Sequence, residues 1–312
     1  MIIKLSVVAP AYNETGNLTP FCQKVKTALK RITPDFEIII VDDGSTDNSL
    51  ELLEKIKQST AELKVIRLRR RSGQTAALMA GFSLAKKEIV VVLDADLQQD
   101  PEDIKKLITP IINGKADVVS GQRQKRQHSL SVRMIAMVEK WLNGWILNVK
   151  LNDTAVSPNA YKKECLKDLD LYGEMHRFLV PILYWRGFKI VEVNVPHYPR
   201  HAGKSKYKPN KAIRGFLDLI IIKFWQDYSS RPIHIFGTIG LWLIFLSLAL
   251  GLEEAIRKLF FHLSIYNRTL PLLAAFLGIV GIQFLVFGIL ADILVKIYYQ
   301  GKSTYQIEKI IQ

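Results

Sequence analysis

An apolar, mostly β-branched run that stops at two carboxylates constrains the fold of this chain most strongly. Residues 89–93 read Ile-Val-Val-Val-Leu, and Asp94-Ala95-Asp96 follows them directly. Such a run is typical of a strand buried on both faces of a parallel sheet. Ligands of open α/β sheets bind at the carboxyl ends of the strands. Two acids there suit a hard divalent cation, Mg²⁺ or Mn²⁺, held against a diphosphate; the alternative is a solvated acidic loop.

Other apolar strands alternate with helical patterns around this run. The strands expected are 5–9, 36–41, 65–68 and 118–119, and the helices expected are 14–32, 45–57, 73–85 and one starting at Asp100-Pro101. This alternation predicts β-α-β units and a doubly wound, mostly parallel sheet. After Gly121 the alternation is lost. The segments expected there are a helix at 131–149, a helix and a strand within 174–196, a basic loop at 197–211 and an interfacial amphipathic helix at 212–228.

Two long apolar segments, 233–252 and 270–291, occupy the C-terminal part of the chain. Each has about the length that crosses the hydrocarbon core of a bilayer, and a buried helix of a soluble protein is the alternative for each. Lys and Arg are concentrated before the first segment and after the second, which places the α/β domain and both termini in the cytoplasm. The predicted parts are an α/β domain at 1–210, an interfacial helix at 211–231 and a two-helix transmembrane region with a short cytoplasmic tail at 232–312.

Charge and cysteine content narrow the class of protein. The formal net charge of +14 suggests a partner that is nucleic acid, anionic lipid or a phosphate-bearing substrate. The basic residues cluster beside the apolar segments, which disfavours nucleic acid. Cys22 and Cys165 are far apart in the sequence, so a disulfide framework is not expected and a reducing compartment fits. The N-terminus shows no cleavable signal pattern.

Polar residues follow several predicted strands and are expected to meet at the carboxyl edge of the sheet. The segments are Pro10–Glu14, Asp42–Ser45, Asp94–Gln98 and Gly121–Arg123. An acid after a Rossmann-type strand often binds a ribose hydroxyl, so Asp42 is a candidate for a ribose or base contact. Tyr12 is a candidate for packing on a base, although a surface aromatic is the commoner role of a loop tyrosine.

Motifs spread along the chain carry a family resemblance. They are Pro10-Ala11-Tyr12-Asn13-Glu14, Asp42-Asp43-Gly44-Ser45-Thr46-Asp47, Gly73-Gln74-Thr75-Ala76-Ala77, Asp94-Ala95-Asp96-Leu97-Gln98-Gln99-Asp100-Pro101, Gly173-Glu174-Met175-His176-Arg177 and the basic segment 199–207. With them the chain resembles family-2 glycosyltransferases of the GT-A (Rossmann-like) fold. Within that family it is similar to the polyprenyl-phosphate glycosyltransferases, such as dolichyl-phosphate mannose synthase and bacterial undecaprenyl-phosphate glucosyltransferases. The resemblance covers nearly the whole chain.

The resemblance implies roles for individual residues. Metal binding is implied for Asp94, Asp96 and Gln98. Donor binding is implied for Pro10, Ala11, Tyr12, Glu14, Asp42, Asp43, Gln74, Asp94, Ala95 and Asp96. Contact with the acceptor phosphate is implied for Arg123, Arg133, Arg200 and Lys206, and a catalytic role for Asp96, Asp153, Arg123 and Arg200. A solvated basic loop, or one that binds lipid headgroups, is the alternative for Arg200 and Lys206. After Asp153 the chain departs from the family pattern, with Ala155-Val156-Ser157-Pro158-Asn159.

The resemblance implies a membrane-bound, Mg²⁺- or Mn²⁺-dependent hexosyltransferase of the cell (inner) membrane. It would move one sugar from a nucleotide-sugar donor to a polyprenyl phosphate, with UDP-glucose favoured over GDP-mannose or another UDP-hexose. An ionised phosphate acceptor needs orientation and charge screening more than a general base. A processive polysaccharide synthase is disfavoured because a Gln-x-x-Arg-Trp motif and enough membrane segments are lacking. A non-catalytic membrane scaffold is disfavoured by Asp94, Asp96 and Gln98. Homo-oligomerisation is left open.

Overall fold

The structure is a computed structural model that describes residues 2–123, 157–196, 198, 224, 231–261 and 269–298. The chain divides into two compact units, Met1–Ile220 and Ile221–Gln312. The helix predicted at 131–149 and all but one residue of the interfacial helix predicted at 212–228 lie outside the described residues. The boundaries predicted for these parts stay predictions.

A seven-stranded sheet forms the centre of the first unit. Its strands are β1 (Lys4–Ala11), β2 (Asp35–Asp42), β3 (Leu63–Arg67), β4 (Ile89–Val92), β5 (Val118–Arg123), β6 (Asn159–Lys162) and β7 (Ile190–Val195). They lie in the order β3-β2-β1-β4-β6-β5-β7. β6 is antiparallel to β4 and β5, and the other neighbouring pairs are parallel. The mostly parallel, doubly wound sheet predicted from the alternation is confirmed.

Helices cover both faces of this sheet. They are α1 (Thr15–Ile32), α2 (Ser49–Ser59), α3 (Gln74–Leu84), α4 (Ile104–Ile112) and α5 (Leu179–Trp185). Short 3-10 turns span Pro101–Asp103, Lys163–Leu166 and Met175–Phe178. One apolar core contains residues of α1, α2 and α4, and the other contains residues of α3 and α5. Val7 and Val8 belong to different cores and are both fully buried, because successive strand residues face opposite sides.

Two local predictions were wrong. The helix expected from Ser45 or Thr46 begins at Ser49, because Ser45 is used elsewhere. The backbone N–H of Ser45 donates to Asp42 Oδ1 at 3.0 Å, and Ser45 Oγ accepts from the backbone N–H of Asn13 at 2.8 Å. The second miss is β6, for which no strand was expected. Its four residues are too few to show a period, and buried Asn159 at its start breaks the apolar pattern.

The second unit contains α6 (Ile233–Phe261) and α7 (Leu270–Tyr298). Both are long and apolar enough to cross a membrane by length and composition, with mean hydropathies of 2.2 and 2.5 over their best windows. The helices approach closely at two glycines. A Cβ added to Gly240 would lie 2.7 Å from the carbonyl oxygen of Gly281, and one added to Gly281 would lie 2.8 Å from that of Gly240. Ser247 Oγ also donates to the carbonyl of Ala274 at 2.7 Å.

Candidate active site

A cleft of about 370 Å³ lies at the carboxyl edge of the sheet. It is lined by residues from the ends of β1, β2 and β4, from the start of α3 and from the turn at 174–177. They are Pro10, Ala11, Tyr12, Glu14, Asp43, Arg71, Gly73, Gln74, Ala77, Asp94, Ala95, Asp96, Gln98, Glu174, His176 and Arg177. A larger cavity of about 450 Å³ at the opposite edge is mainly apolar, with lysine and glutamate side chains also in its lining. Ligands of such sheets bind at the carboxyl edge, so the smaller, polar cleft is the candidate site.

Asp94 is held in place by a buried glutamine. Its backbone N–H donates to Gln99 Oε1 at 3.0 Å, and Gln99 Nε2 donates to Asp94 Oδ2 at 3.0 Å. Ser157 Oγ donates to the same Oε1 at 2.9 Å, which fixes the orientation of the amide. Gln74 Nε2 approaches Asp94 Oδ1 at 3.4 Å from the first turn of α3. The carboxylate after β4 is therefore oriented by groups from three parts of the chain.

Asp96 sits in a tight turn beyond β4. Leu97 adopts the left-handed conformation, with a φ of 59°, which a leucine rarely takes. The backbone N–H of Gln98 donates to Asp96 Oδ1 at 3.1 Å and closes the turn. Because of this turn, both Asp96 and Gln98 line the cleft beside Asp94.

These three residues fit a hard divalent cation. Carboxylate and amide oxygens are the ligands that Mg²⁺ and Mn²⁺ prefer. Within the described part of the chain, no group of three or more His, Cys, Asp or Glu side chains is placed to hold one ion. Two carboxylates with one amide leave room for ligands from a diphosphate or water, which is how Mg²⁺ is usually bound.

A second region of the cleft suits a nucleoside. The guanidinium of Arg71 lies over the ring of Tyr12, 4.3 Å from its centroid, a cation–π contact. Asp43 accepts hydrogen bonds from the backbone N–H groups of Ser72 at 2.6 Å and Gly73 at 2.9 Å. The segment that carries Arg71 is thereby tied to the end of β2. The backbone at residue 73 has a φ of 94°, which lies in the region that favours glycine.

Asp42 ends β2, where it pairs with Arg67 of β3, and it is not among the residues that line the cleft. Its side chain is fully buried, and Oδ1 accepts from the backbone N–H of Ser45 at 3.0 Å. Oδ2 is buried and finds no hydrogen-bond donor among the described residues; Arg67 Nε is 4.0 Å away. A buried acceptor without a donor is costly, which marks this oxygen as one with unused accepting capacity.

The turn at 174–177 forms another part of the cleft wall. His176 is 5% exposed, and its Nδ1 lies 2.7 Å from Thr75 Oγ1. Thr75 Oγ1 donates to the carbonyl of Gly173 at 2.6 Å. Arg177 and Glu174 form an ion pair at 3.1 Å. Thr75 thus connects the start of α3 to this turn.

The structure brings together most of the residues predicted for the donor and the metal. Pro10, Ala11, Tyr12, Glu14, Asp43, Gln74, Asp94, Ala95, Asp96 and Gln98 line one cleft, and Asp42 does not. For Arg123 the structure gives the backbone, which ends β5 and pairs with Val195. Asp153, Arg133, Arg200 and Lys206 lie outside the described residues, so their roles stay predictions.

Sequence reasoning did not select Arg71, Gln99, Glu174, His176 or Arg177 as site residues. The motifs at 94–101 and 173–177 contain four of these residues, which was the available signal. Arg71 is different because it lies outside the quoted motifs. It reaches Tyr12 only through the fold, so the sequence carries no local sign of its place.

Comparisons with known proteins identify the family. Residues 6–160 match the family model described as "Glycosyl transferase family 2". The chain is 33% identical over 311 residues to a dodecaprenyl-phosphate galacturonate synthase of Rhizobium johnstonii, covering 97% of this chain and 90% of that protein. It is 30% identical to an undecaprenyl-phosphate 4-deoxy-4-formamido-L-arabinose transferase of Pseudomonas savastanoi pv. phaseolicola, covering 99% of this chain and 91% of that protein.

Solved structures share the fold of the first unit. Glucosyl-3-phosphoglycerate synthase of Mycobacterium tuberculosis, solved with Mn²⁺, UDP and phosphoglyceric acid, superposes with a TM-score of 0.56 at 19% identity, covering 71% of this chain and 78% of that one. Mannosyl-3-phosphoglycerate synthase of Rubrobacter xylanophilus gives a TM-score of 0.59 at 14% identity, covering 72% and 75%. At these identities the likeness shows the GT-A fold alone. With its acids at the strand ends, its fold and its near full-length relatives, the chain belongs to glycosyl transferase family 2.

Proposed function

We propose that this protein transfers a single sugar from a nucleotide-sugar donor to a polyprenyl phosphate at the membrane. The observation that carries the proposal is the pair Asp94 and Asp96, which line the cleft with Asp94 locked by Gln99. Two relatives that match almost the whole chain are named as enzymes acting with a polyprenyl phosphate. The two apolar helices of the second unit suit an enzyme whose acceptor is a lipid.

Asp94, Asp96 and Gln98 would hold Mg²⁺ or Mn²⁺ in the cleft. When bound, such an ion neutralises charge on the diphosphate that leaves. The protein contributes the orientation of the ligands, since Gln99 and the turn at Leu97 set the carboxylates before a donor arrives. That arrangement lowers the cost of ordering the site during binding.

The donor is best assigned as a UDP-linked hexose, with UDP-glucose the first choice and GDP-mannose or another UDP-hexose the alternatives. Tyr12 and Arg71 would border the base, and Asp42 Oδ2 would accept from a base N–H such as N3–H of uracil. The names of the relatives, which specify galacturonate and 4-deoxy-4-formamido-L-arabinose, add modified sugars to the candidates.

In the reaction, an oxygen of the polyprenyl phosphate attacks C1 of the sugar. The bond between C1 and the diphosphate oxygen breaks, and the nucleoside diphosphate leaves with the electron pair. The attacking phosphate is already ionised, so a proton acceptor is not required. The acceptor phosphate is proposed to be oriented by Arg123, Arg133, Arg200 and Lys206, because cationic side chains reduce repulsion between two anions. Asp153 is proposed to act beside that phosphate.

We further propose that α6 and α7 cross the inner membrane and that the first unit lies in the cytoplasm. The charge bias around the two apolar segments supports this topology. A reporter fused after Gln312 should be active only in the cytoplasm, and activity outside the cell would contradict it.

The test of the function uses the full-length protein in detergent with undecaprenyl phosphate and a panel of radiolabelled UDP- and GDP-sugars. Label should appear in the lipid phase as a single sugar released by mild acid, and chelation of divalent metal should abolish it. Asp96→Asn should remove most of the transfer, and exposed Glu51→Gln is the matched control. Labelled polymer would favour a processive synthase, and absence of both transfer and donor hydrolysis would favour a non-catalytic scaffold.

A further inference from the structure

Three loops at the carboxyl edge of the sheet contact one another in a closed ring. They follow β1, β2 and β3 and span residues 12–14, 43–48 and 68–73. The first loop bonds to the second through Asn13, and the second bonds to the third through Asp43. The third returns to the first where Arg71 lies over the ring of Tyr12. This is the region of the cleft that suits a nucleoside.

Asn13 fixes the first loop to the second with both halves of its amide. Its Oδ1 accepts from the backbone N–H of Thr46 at 2.8 Å, and its Nδ2 donates to Thr46 Oγ1 at 3.1 Å. A backbone N–H can only donate, which sets the orientation of the amide. The backbone N–H of Asn13 also donates to Ser45 Oγ at 2.8 Å. Three bonds to two consecutive residues thus fix both the distance and the direction between the loops.

The backbone conformation of Asn13 suits this role. Its φ of 52° lies in the left-handed region, which asparagine adopts more readily than most residues. Tyr12 and Glu14 line the cleft, and Asn13 between them does not. The side chain of Asn13 therefore meets the second loop, while the side chains on either side of it meet the cleft.

Other contacts join the same strands without the Asn13 side chain. β1 and β2 pair along their whole length, and the backbone N–H of Asp43 donates to the carbonyl of Ala11 at 2.8 Å. Loss of the Asn13 amide should therefore leave the sheet intact. It would open the ring between the first two loops and weaken the restraint on Tyr12 relative to Arg71.

We propose that Asn13 is a positioning residue for the nucleoside half of the donor, which holds Tyr12 where the base packs. The inference rests on the proposed function and adds a residue that itself touches no substrate. The nucleoside lies away from the bond between C1 and oxygen that breaks, so its contacts are alike in the bound donor and in the transition state. Loss of such uniform binding raises KM and leaves kcat unchanged.

A role of Asn13 in stability alone is the alternative, because α1 begins at Thr15, two residues further on. A variant that is only less stable contains less folded enzyme. Its apparent kcat would then fall, and its KM for the donor would stay constant. The two roles therefore change different kinetic parameters.

The first measurement is steady-state transfer by the full-length protein in detergent, with the donor varied at saturating undecaprenyl phosphate and Mn²⁺. Asn13→Gly keeps the left-handed backbone without strain and removes both amide bonds. Its KM for the donor should rise by about threefold to tenfold, the scale of hydrogen bonds that water partly replaces. Its kcat should stay within about twofold of the wild-type value.

Two further variants accompany this measurement. Asn13→Asp should recover most of the affinity, because its oxygens can accept from the backbone N–H and from the hydroxyl of Thr46. Asn113→Gly is the matched control and should change neither parameter, since Asn113 is exposed at the end of α4 and does not line the cleft.

The second measurement is calorimetry of UDP and of GDP with Mn²⁺ and without acceptor lipid. The nucleotide that binds the wild-type protein should bind Asn13→Gly more weakly, by the same factor as the rise in KM. Thr46→Val removes one of the two amide bonds and should give a smaller loss. In the Asn13→Gly background Thr46→Val should give no further loss, as expected for two residues that act through one contact.

The outcomes distinguish the inference from the function on which it rests. If the wild-type protein transfers sugar, and Asn13→Gly leaves KM and nucleotide affinity within about twofold, the inference is wrong and the function stands. The inference is also wrong if Asn13→Gly raises the half-saturating Mn²⁺ concentration more than about tenfold, the scale of damage to a metal site. If the wild-type protein binds nucleotide but transfers no sugar, the function fails and the calorimetry decides the inference. If it does neither, both proposals fail.

Discussion

Replacing Gln99 by methionine should raise the metal concentration needed for half-maximal activity by about 10- to 100-fold, the cost of losing a group that supports a metal ligand. Methionine has nearly the length of glutamine but neither donates nor accepts strongly. The change removes the bond from Nε2 to Asp94 Oδ2 and the acceptor for the Asp94 backbone N–H, both at 3.0 Å. Because Gln99 is 5% exposed, water does not easily replace these bonds.

The magnitude follows from the two lost bonds to Asp94; the third lost bond, from Ser157 Oγ to Gln99 Oε1, does not contact Asp94. A hydrogen bond to a carboxylate contributes roughly 1.5–3 kcal/mol and a neutral one about 1 kcal/mol. Part of that loss appears as lower stability, and the remainder appears as poorer orientation of Asp94 toward the metal. A tenfold change in affinity corresponds to about 1.4 kcal/mol, so a 10- to 100-fold effect is within what these bonds supply.

The assay is the initial rate of sugar transfer over a titration of Mn²⁺, with the free energy of unfolding measured in parallel. Exposed Gln58→Met on α2 is the matched control and should change neither quantity. Saturating metal should restore much of the rate of Gln99→Met. If the half-saturating concentration stays within about twofold while stability falls, Gln99 is a packing residue and the reasoning about Asp94 is wrong.

Three further outcomes are expected. Gly240→Leu should separate or unfold the α6–α7 pair, at a cost of about 1–3 kcal/mol or more from overpacking. Gly251→Leu should not, since no atom lies within 4 Å of a Cβ added at Gly251. Thermal unfolding in detergent would measure both variants. Burial raises the pKa of the Cys22 and Cys165 thiols to about 12, so iodoacetamide at pH 8 should label them only after denaturation, and rapid labelling of the native protein would contradict this. Burial alone would raise the pKa of Glu37, but hydrogen bonds from a lysine, a serine and a backbone N–H hold this pKa below its ordinary value of 4.5. The difference in stability between wild type and Glu37→Gln should therefore be present at neutral pH and shrink as pH falls below about 4. Denaturant titrations at several pH values would measure it.

The sheet could be predicted because its strands are apolar on both faces and end at turn residues. β6 could not be predicted, because four residues are too few to show a period and the strand begins with a buried polar residue. Asn159 Oδ1 accepts from the backbone N–H of Gly121 at 3.1 Å, and its Nδ2 donates to Tyr161 Oη at 3.0 Å. Gly121 is needed there, since a Cβ would lie 2.4 Å from the carbonyl oxygen of Pro158.

The candidate site also contains residues that could be predicted from the sequence and residues that could not. The acids after β1, β2 and β4 could be predicted to converge because parallel strands share a carboxyl edge. The groups that orient these acids could not be predicted from the sequence. Ser157 meets Gln99 across 58 positions of sequence, and His176 meets Thr75 across 101. The first contact follows from the pairing of β6 with β4 and the second from the contact of α3 with the 173–178 segment, and a local pattern contains neither.

The reciprocal approach of Gly240 and Gly281 determines how the helix pair, in its proposed transmembrane role, would respond to the thickness of a bilayer. Each carbonyl occupies the space that a side chain would need. Sliding one helix by a turn, about 5.4 Å, would bring Phe236 or Ile244 to the place of Gly240 and drive a side chain into the facing backbone. The two helices are therefore locked in register along their length. A thinner bilayer would be met by tilting of the pair as one body, and a thicker one by reduced tilt or local thinning of the bilayer.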